Sequence, residues 1–254
     1  MWNKEVTMTK QIEKLSEDLA YLKLIDIKEN FLDVTNKAAK KEMSHLDFLI
    51  DLIEGEVSRR RGNAVERRLR NARLPYPKNL DQFQWSHPEK INRQQIENLF
   101  HLHFIDRKEN VVFLGTCGLG KSHLSIALAT KACQKGYTTL FAGAVEIINT
   151  LSAARAMNTL DKALEKYKKP QLLVIDELGY LPIDKLGADL LFQVISQRYE
   201  RGSMIITCNR EFKKWVEIFN NDGIVTSAIL DRVLHHCEPV IIEGPSYRMK
   251  DKTK

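Results

Sequence analysis

Apolar residues in the first third of the chain recur at helical spacing. Ile12, Leu15, Leu19 and Leu22 fall at three- and four-residue steps, which places them on one face of a helix. Leu46, Leu49, Ile53 and Val57 repeat the pattern, and Ser44 with Asp47 three residues on reads as a capping box that opens a second long helix. No Gly or Pro interrupts this stretch before Gly55. These stripes predict a small all-helical domain over residues 1–74, with binding of a partner or of DNA as its expected role. Leu74-Pro75-Tyr76-Pro77 then breaks any helix, because proline lacks an N–H and pushes the residue before it out of helical geometry. Residues 75–95 read as a linker. From Val111 onward, short apolar runs alternate with amphipathic stretches. Strands are predicted near 111–114, 138–142, 172–175, 203–207 and 239–242, and helices near 92–103, 121–135, 144–166, 186–200, 212–219 and 225–236. Strict alternation of this kind implies a parallel sheet with helices on both faces. The expected architecture is an α/β domain over 96–254 with a five-stranded parallel sheet.

Composition is consistent with that picture and narrows the function classes. The chain has 254 residues, 43% of them hydrophobic, which is enough for one large α/β domain and a smaller appendage. Its longest apolar runs fall far short of a membrane span, and residues 1–10 carry no apolar signal core, so neither a membrane protein nor a secreted one is expected. Cys117, Cys133, Cys208 and Cys237 are far apart and form no CxxC pair, which argues against a zinc site or disulfide frame and fits a reducing bacterial cytoplasm.

The net charge of +6 suits a polyanionic partner. The positive charge is concentrated in residues 58–73, SRRRGNAVERRLRNAR, where Arg59, Arg60, Arg61, Arg67, Arg68, Arg70 and Arg73 face a single acid, Glu66. A solvated helix face normally mixes signs. Guanidinium forks match phosphate oxygens, so Arg67, Arg68 and Arg70 are candidate DNA contacts. Pairing with acids elsewhere is the competing reading.

Three strand ends carry the chemistry. Gly115-Thr116-Cys117-Gly118-Leu119-Gly120-Lys121-Ser122 fits G-x-x-x-x-G-K-S/T at every fixed position, after an apolar strand and before a helix. Glycines let successive N–H groups turn toward phosphate oxygens, and the helix start adds its positive dipole end. Lys121 is placed to reach the β- and γ-phosphates of ATP, and the Ser122 hydroxyl to ligate Mg²⁺. Leu172-Leu173-Val174-Ile175-Asp176-Glu177 reads as a strand buried on both faces that ends in an acid pair. Asp176 is the second candidate for Mg²⁺, and Glu177 can orient or deprotonate water, a group that hydrolysis needs and a kinase does not. Met204-Ile205-Ile206-Thr207-Cys208-Asn209 is another buried strand with a polar end, and Asn209 is expected beside Asp176 if the two strands are neighbours. Arg232 and Arg248 are candidates for stabilising γ-phosphoryl charge, Arg232 across a subunit boundary and Arg248 within its own subunit.

The strings GTCGLGKSHL, LLVIDELGYLP, LLFQVISQRYERGSMIITCN, ILDRVLHHC and GPSYR together resemble the IstB family. Those are ATPases that assist bacterial insertion-sequence transposition and are similar to the DnaC helicase loader. The resemblance covers almost the whole chain, and its DELGYLP and QRYERGS strings are more specific than the phosphate loop. It implies a P-loop AAA+ ATPase domain, DNA-stimulated hydrolysis of ATP, and self-assembly into a ring or spiral on duplex DNA. It also implies delivery of that DNA to a cognate transposase; loading of a replicative helicase is the alternative. In residues, it implies Gly115 to Ser122 and His123 around the phosphates, Asp176 and Glu177 as the magnesium and hydrolysis pair, and Asn209 as a first sensor. Arg232 would be the finger in trans and Arg248 a second sensor. Thr116 and Cys117 stand where the family often has proline and glycine; neither side chain is needed for phosphate contact. An extra helix after the second strand, here 144–169, is implied to face the DNA channel with Arg155, Lys162, Lys166, Lys168 and Lys169, contacting phosphates without reading bases.

Overall fold

The structure, a computed structural model, describes the backbone of residues 2–247 and the side chains of residues 9–247. The chain divides into two compact units between Glu66 and Arg67.

The first unit is helical, with α1 (Trp2–Tyr21), α2 (Ile25–Lys41) and the first part of α3 (His45–Ala72). The Ser44 cap is present: its Oγ accepts the Asp47 backbone N–H at 3.1 Å and donates to the Asp47 carboxylate at 2.6 Å. Helix α2 was not separately read from the pattern. Of its residues, Ile27 is buried. Two arginines of the basic run are engaged inside this unit. Arg60 donates to the buried Glu56 at 2.7 Å and to the Lys23 carbonyl at 3.0 Å, while Arg59 pairs with Glu29 at 3.3 Å. For these two, the pairing reading holds.

The second unit is built on one sheet of five parallel strands: β1 (Asn110–Leu114), β2 (Thr139–Gly143), β3 (Leu172–Leu178), β4 (Ser203–Cys208) and β5 (Cys237–Ile241), in the spatial order β2-β3-β4-β1-β5. All five were legible as apolar runs. Strand residues alternate between two buried layers, as the two-residue period of a strand requires. Val111, Phe113, Leu172, Val174 and Ile205 pack with α4 (Arg93–Leu99), α5 (His103–Asp106) and α6 (Lys121–Lys135). Val112, Leu173, Ile175 and Ile206 pack with the opposite layer. That layer contains α7 (Ala144–Ala156), α8 (Leu160–Lys168), α9 (Lys185–Arg198), α10 (Trp215–Ile218) and α11 (Gly223–Leu234).

Two predicted helices are each two. The helix expected over 144–166 breaks at Asn158, whose backbone is left-handed at φ 55, and restarts as α8. The one expected over 92–103 stops at Leu99 and restarts at His103 after the left-handed Leu102, φ 64. Asparagine tolerates that conformation well; Leu102 is held there by burial.

Candidate functional site

The C-terminal ends of β1, β3 and β4 converge on a cavity of about 370 Å³ lined by the glycine-rich loop, Glu177, Thr207 and Asn209. Ligands of open α/β sheets bind at that edge. Two glycines show why the loop needs its sequence. A Cβ on Gly115 would lie 2.2 Å from the Ile242 carbonyl oxygen, and one on Gly120, at φ 86, would lie 2.5 Å from the Phe83 ring. Gly120 is also the N-cap of α6, and no side chain caps that helix start. The first-turn N–H groups therefore remain for an anion, with the positive helix end behind them.

Lys121 is buried, and its ammonium donates to the Gly115 and Thr116 carbonyls at 2.7 Å each. Those bonds hold the ammonium against the curl of the loop. Ser122 Oγ donates to Asp176 Oδ1 at 2.9 Å, which joins the start of α6 to the end of β3. A hydroxyl and a carboxylate at that separation form an oxygen donor set suited to Mg²⁺. Glu177 follows in the left-handed region, φ 60, and its side chain is exposed to the cavity.

Strands β3 and β4 are neighbours, as the expectation for Asn209 required, but the residue beside Asp176 is Thr207. Val174 pairs with Ile205 and Ile175 with Ile206, and Thr207 Oγ1 donates to Asp176 Oδ1 at 2.5 Å. Asn209 lies two residues further on and lines the cavity. Its Oδ1 is buried and has no hydrogen-bond partner among the described residues. A buried acceptor of that kind needs a donor, and the cavity is where one would come from.

Sequence reasoning missed the other wall. The segment 75–95, read as a linker, supplies Tyr76, Phe83 and His87 to the cavity. Phe83 is buried and meets the His123 ring edge-on at 5.6 Å. His87 Nε2 lies 3.0 Å from the Pro245 carbonyl, and its ring meets Tyr247 edge-on at 4.7 Å. The only signal in sequence was the aromatic content of FQWSH.

His123 lies 3.0 Å through Nε2 from the Asn79 carbonyl. Burial holds its imidazole below the ordinary value, the Asn79 hydrogen bond opposes that, and the nearby Lys78 charge lowers it further. The unfolded chain therefore takes up a proton first, so this site contributes stability at neutral pH that is lost as pH falls from about 6.5 through the folded value. His123→Gln is expected to show a smaller loss of thermal midpoint between about pH 7 and about pH 5.5 than the wild type. Equal losses would contradict this.

The remaining predicted residues lie elsewhere. Arg232, on α11, donates to the Ala228 carbonyl at 3.0 Å, lies over the Phe192 ring at 4.8 Å, and does not line this cavity. Arg155 is on α7; Lys162, Lys166 and Lys168 are on α8. Lys168 is paired with Glu165 at 2.8 Å and Lys166 lies over the Tyr167 ring at 4.9 Å. Arg67, Arg68 and Arg70 are on the last turns of α3. Arg248 lies outside the described residues. No helix among the described residues is long and apolar enough to cross a membrane.

The sheet order, the glycine-rich loop between β1 and α6, and the acid pair ending β3 define the P-loop ATPase fold of the AAA+ class. Solved structures with this fold include the DnaI protein, with a TM-score of 0.56 at 17% identity over 65% of this chain and 90% of that one. AMPPCP-bound DnaA from Aquifex aeolicus gives 0.55 at 18% identity, over 67% of this chain and 51% of that one. The chain belongs to the IstB-like ATP binding protein family, whose profile matches residues 17–254. It is 39% identical over 244 residues to a protein of insertion sequence IS232 from Bacillus thuringiensis subsp. berliner that is named for ATP binding, with 96% of this chain and 97% of that one covered. It is 39% identical over 236 residues to the corresponding protein of insertion sequence IS21 from Pseudomonas aeruginosa, covering 93% and 89%.

Proposed function

We propose that this protein binds and hydrolyses ATP, assembles on duplex DNA in the ATP-bound form, and assists the transposase of an insertion sequence. The observation that carries the hydrolysis reading is the convergence on one cavity of the phosphate cradle, Glu177 and the unpartnered Asn209 Oδ1, with Asp176 joined to the cradle through Ser122. The triphosphate lies along the loop N–H groups, with Lys121 shifting from the loop carbonyls to the phosphate oxygens. Ser122 and Asp176 would hold Mg²⁺, which would supply positive charge to offset that of the phosphates. Glu177 orients a water and accepts its proton as the water oxygen bonds to the γ-phosphorus. The bond from that phosphorus to the β–γ bridging oxygen breaks, and ADP and phosphate leave. Asn209 completes its hydrogen bonding with the γ-phosphate or the attacking water. Arg232, outside its own subunit's cavity, serves a neighbour's.

The insertion-sequence relatives support the transposition reading over helicase loading. Arg155 of α7, Lys162, Lys166 and Lys168 of α8, and Arg67, Arg68 and Arg70 at the end of α3 supply the DNA contacts. The test is Glu177→Gln. This variant is expected to bind ATP as the wild type does, to lose turnover by at least about 100-fold, and to accumulate as an oligomer when both ATP and duplex DNA are present. Turnover at the wild-type rate would remove Glu177 from its role, and a monomer under all conditions would remove the assembly.

A further inference from the structure

The end of β4 runs beside the acid pair, and Thr207 is the β4 residue that bonds to it. Val174 and Ile205 share the layer that packs on α6. Asp176 and Thr207, each two residues on, fall on that same face. The ladder then slips, so that Leu178 rather than Glu177 is the next residue paired, opposite Cys208. The two residues inside the slip are Asp176 and Glu177.

Glu177 is a non-glycine in the left-handed region, a conformation that persists only where surrounding contacts impose it. One of those contacts is Thr207. Its hydroxyl accepts the Glu177 backbone N–H at 2.9 Å and gives its single proton to Asp176 Oδ1 at 2.5 Å. The same Oδ1 accepts from Ser122 at 2.9 Å. Thr207 is 1% exposed, so water does not replace these bonds. A hydroxyl can serve as donor and acceptor at once, which valine, of nearly the same shape, cannot.

We infer that Thr207 is a positioning residue for hydrolysis. Its hydroxyl fixes the Asp176 carboxylate and the Glu177 main chain in one arrangement, and so aims the Glu177 carboxylate into the cavity. This rests on the hydrolysis reading above, and the test separates the two. Wild type, Thr207→Val and Thr207→Ser are compared by amide hydrogen exchange at Glu177 without nucleotide, and by kcat and KM for ATP. Valine is expected to speed exchange of the Glu177 amide by about tenfold or more. It is also expected to lower kcat by about 10–100-fold with KM within about threefold. Serine is expected to keep all three within about threefold of wild type, because it keeps the hydroxyl. The inference is overturned if valine leaves exchange and kcat unchanged, if KM rises as far as kcat falls, or if serine fails as badly as valine. Wild-type protein that releases no phosphate overturns the hydrolysis reading instead, and the exchange data, which need no nucleotide, identify that case.

Discussion

Lys121→Ala is expected to weaken ATP binding by at least about 100-fold, since two charge-assisted hydrogen bonds to phosphate contribute about 1.5–3 kcal/mol each. The ammonium is already at the site. It is buried and held at 2.7 Å from the Gly115 and Thr116 carbonyls, so binding requires a short shift between two sets of oxygen acceptors rather than the ordering of a free side chain. Alanine removes that charge and leaves the two carbonyls without their donor. The fold should survive, because the loop is also fixed by the close approach of Gly115 to Ile242 and of Gly120 to Phe83. A nucleotide titration paired with a thermal melt checks both halves. Affinity within about threefold of wild type, with the fold intact, would contradict the assignment.

Arg198→Ala is expected to cost at least about 3 kcal/mol of folding stability, because several buried carbonyls lose a charge-assisted donor at about 1–3 kcal/mol for each group left unsatisfied. Arg198 is 1% exposed and has no carboxylate partner in the network described. Its guanidinium instead donates to the carbonyls of Tyr167, Lys168, Pro170, Gln171 and Ser203 at 2.7–3.2 Å. The first two belong to the last turn of α8, where the carbonyl ends of a helix carry partial negative charge, so the cation offsets that end. Burial lowers its pKa to about 10, still well above neutrality, so it stays charged at physiological pH. Arg198 thus ties the loop entering β3 to the turn entering β4, the two strands that carry the acids and Asn209. Arg198→Lys keeps the charge but loses the planar fork and should fall between alanine and wild type. Denaturant midpoints with unchanged slope measure this, and a loss below about 1 kcal/mol for alanine would sink it.

The two predictions differ in how far the sequence announced them. Lys121 sits in a motif whose glycines and spacing have one well-supported physical reading, and the strands around it are apolar runs too short to be helices. Nothing local marks Arg198 as buried, since arginine is usually exposed; its site exists only because the end of α8 and the segment entering β3, distant in sequence, turn their carbonyls toward it. The same holds for the 75–95 segment. Its prolines and polar residues read as a connection, yet Phe83 closes one side of the cavity through a packing contact with Gly120. Asn209 lies two residues past Thr207, the residue beside Asp176, because pairing register is set between two strands and cannot be read from either apolar run alone. The break at Asn158 was similarly invisible against a continuous helical pattern.

Phosphate release from ATP by the purified chain with Mg²⁺, measured with and without duplex DNA, tests the central claim most directly. Turnover that duplex DNA accelerates and that Lys121→Ala abolishes is the expected result. Tight ATP binding without phosphate release, in the presence or absence of DNA, would contradict it.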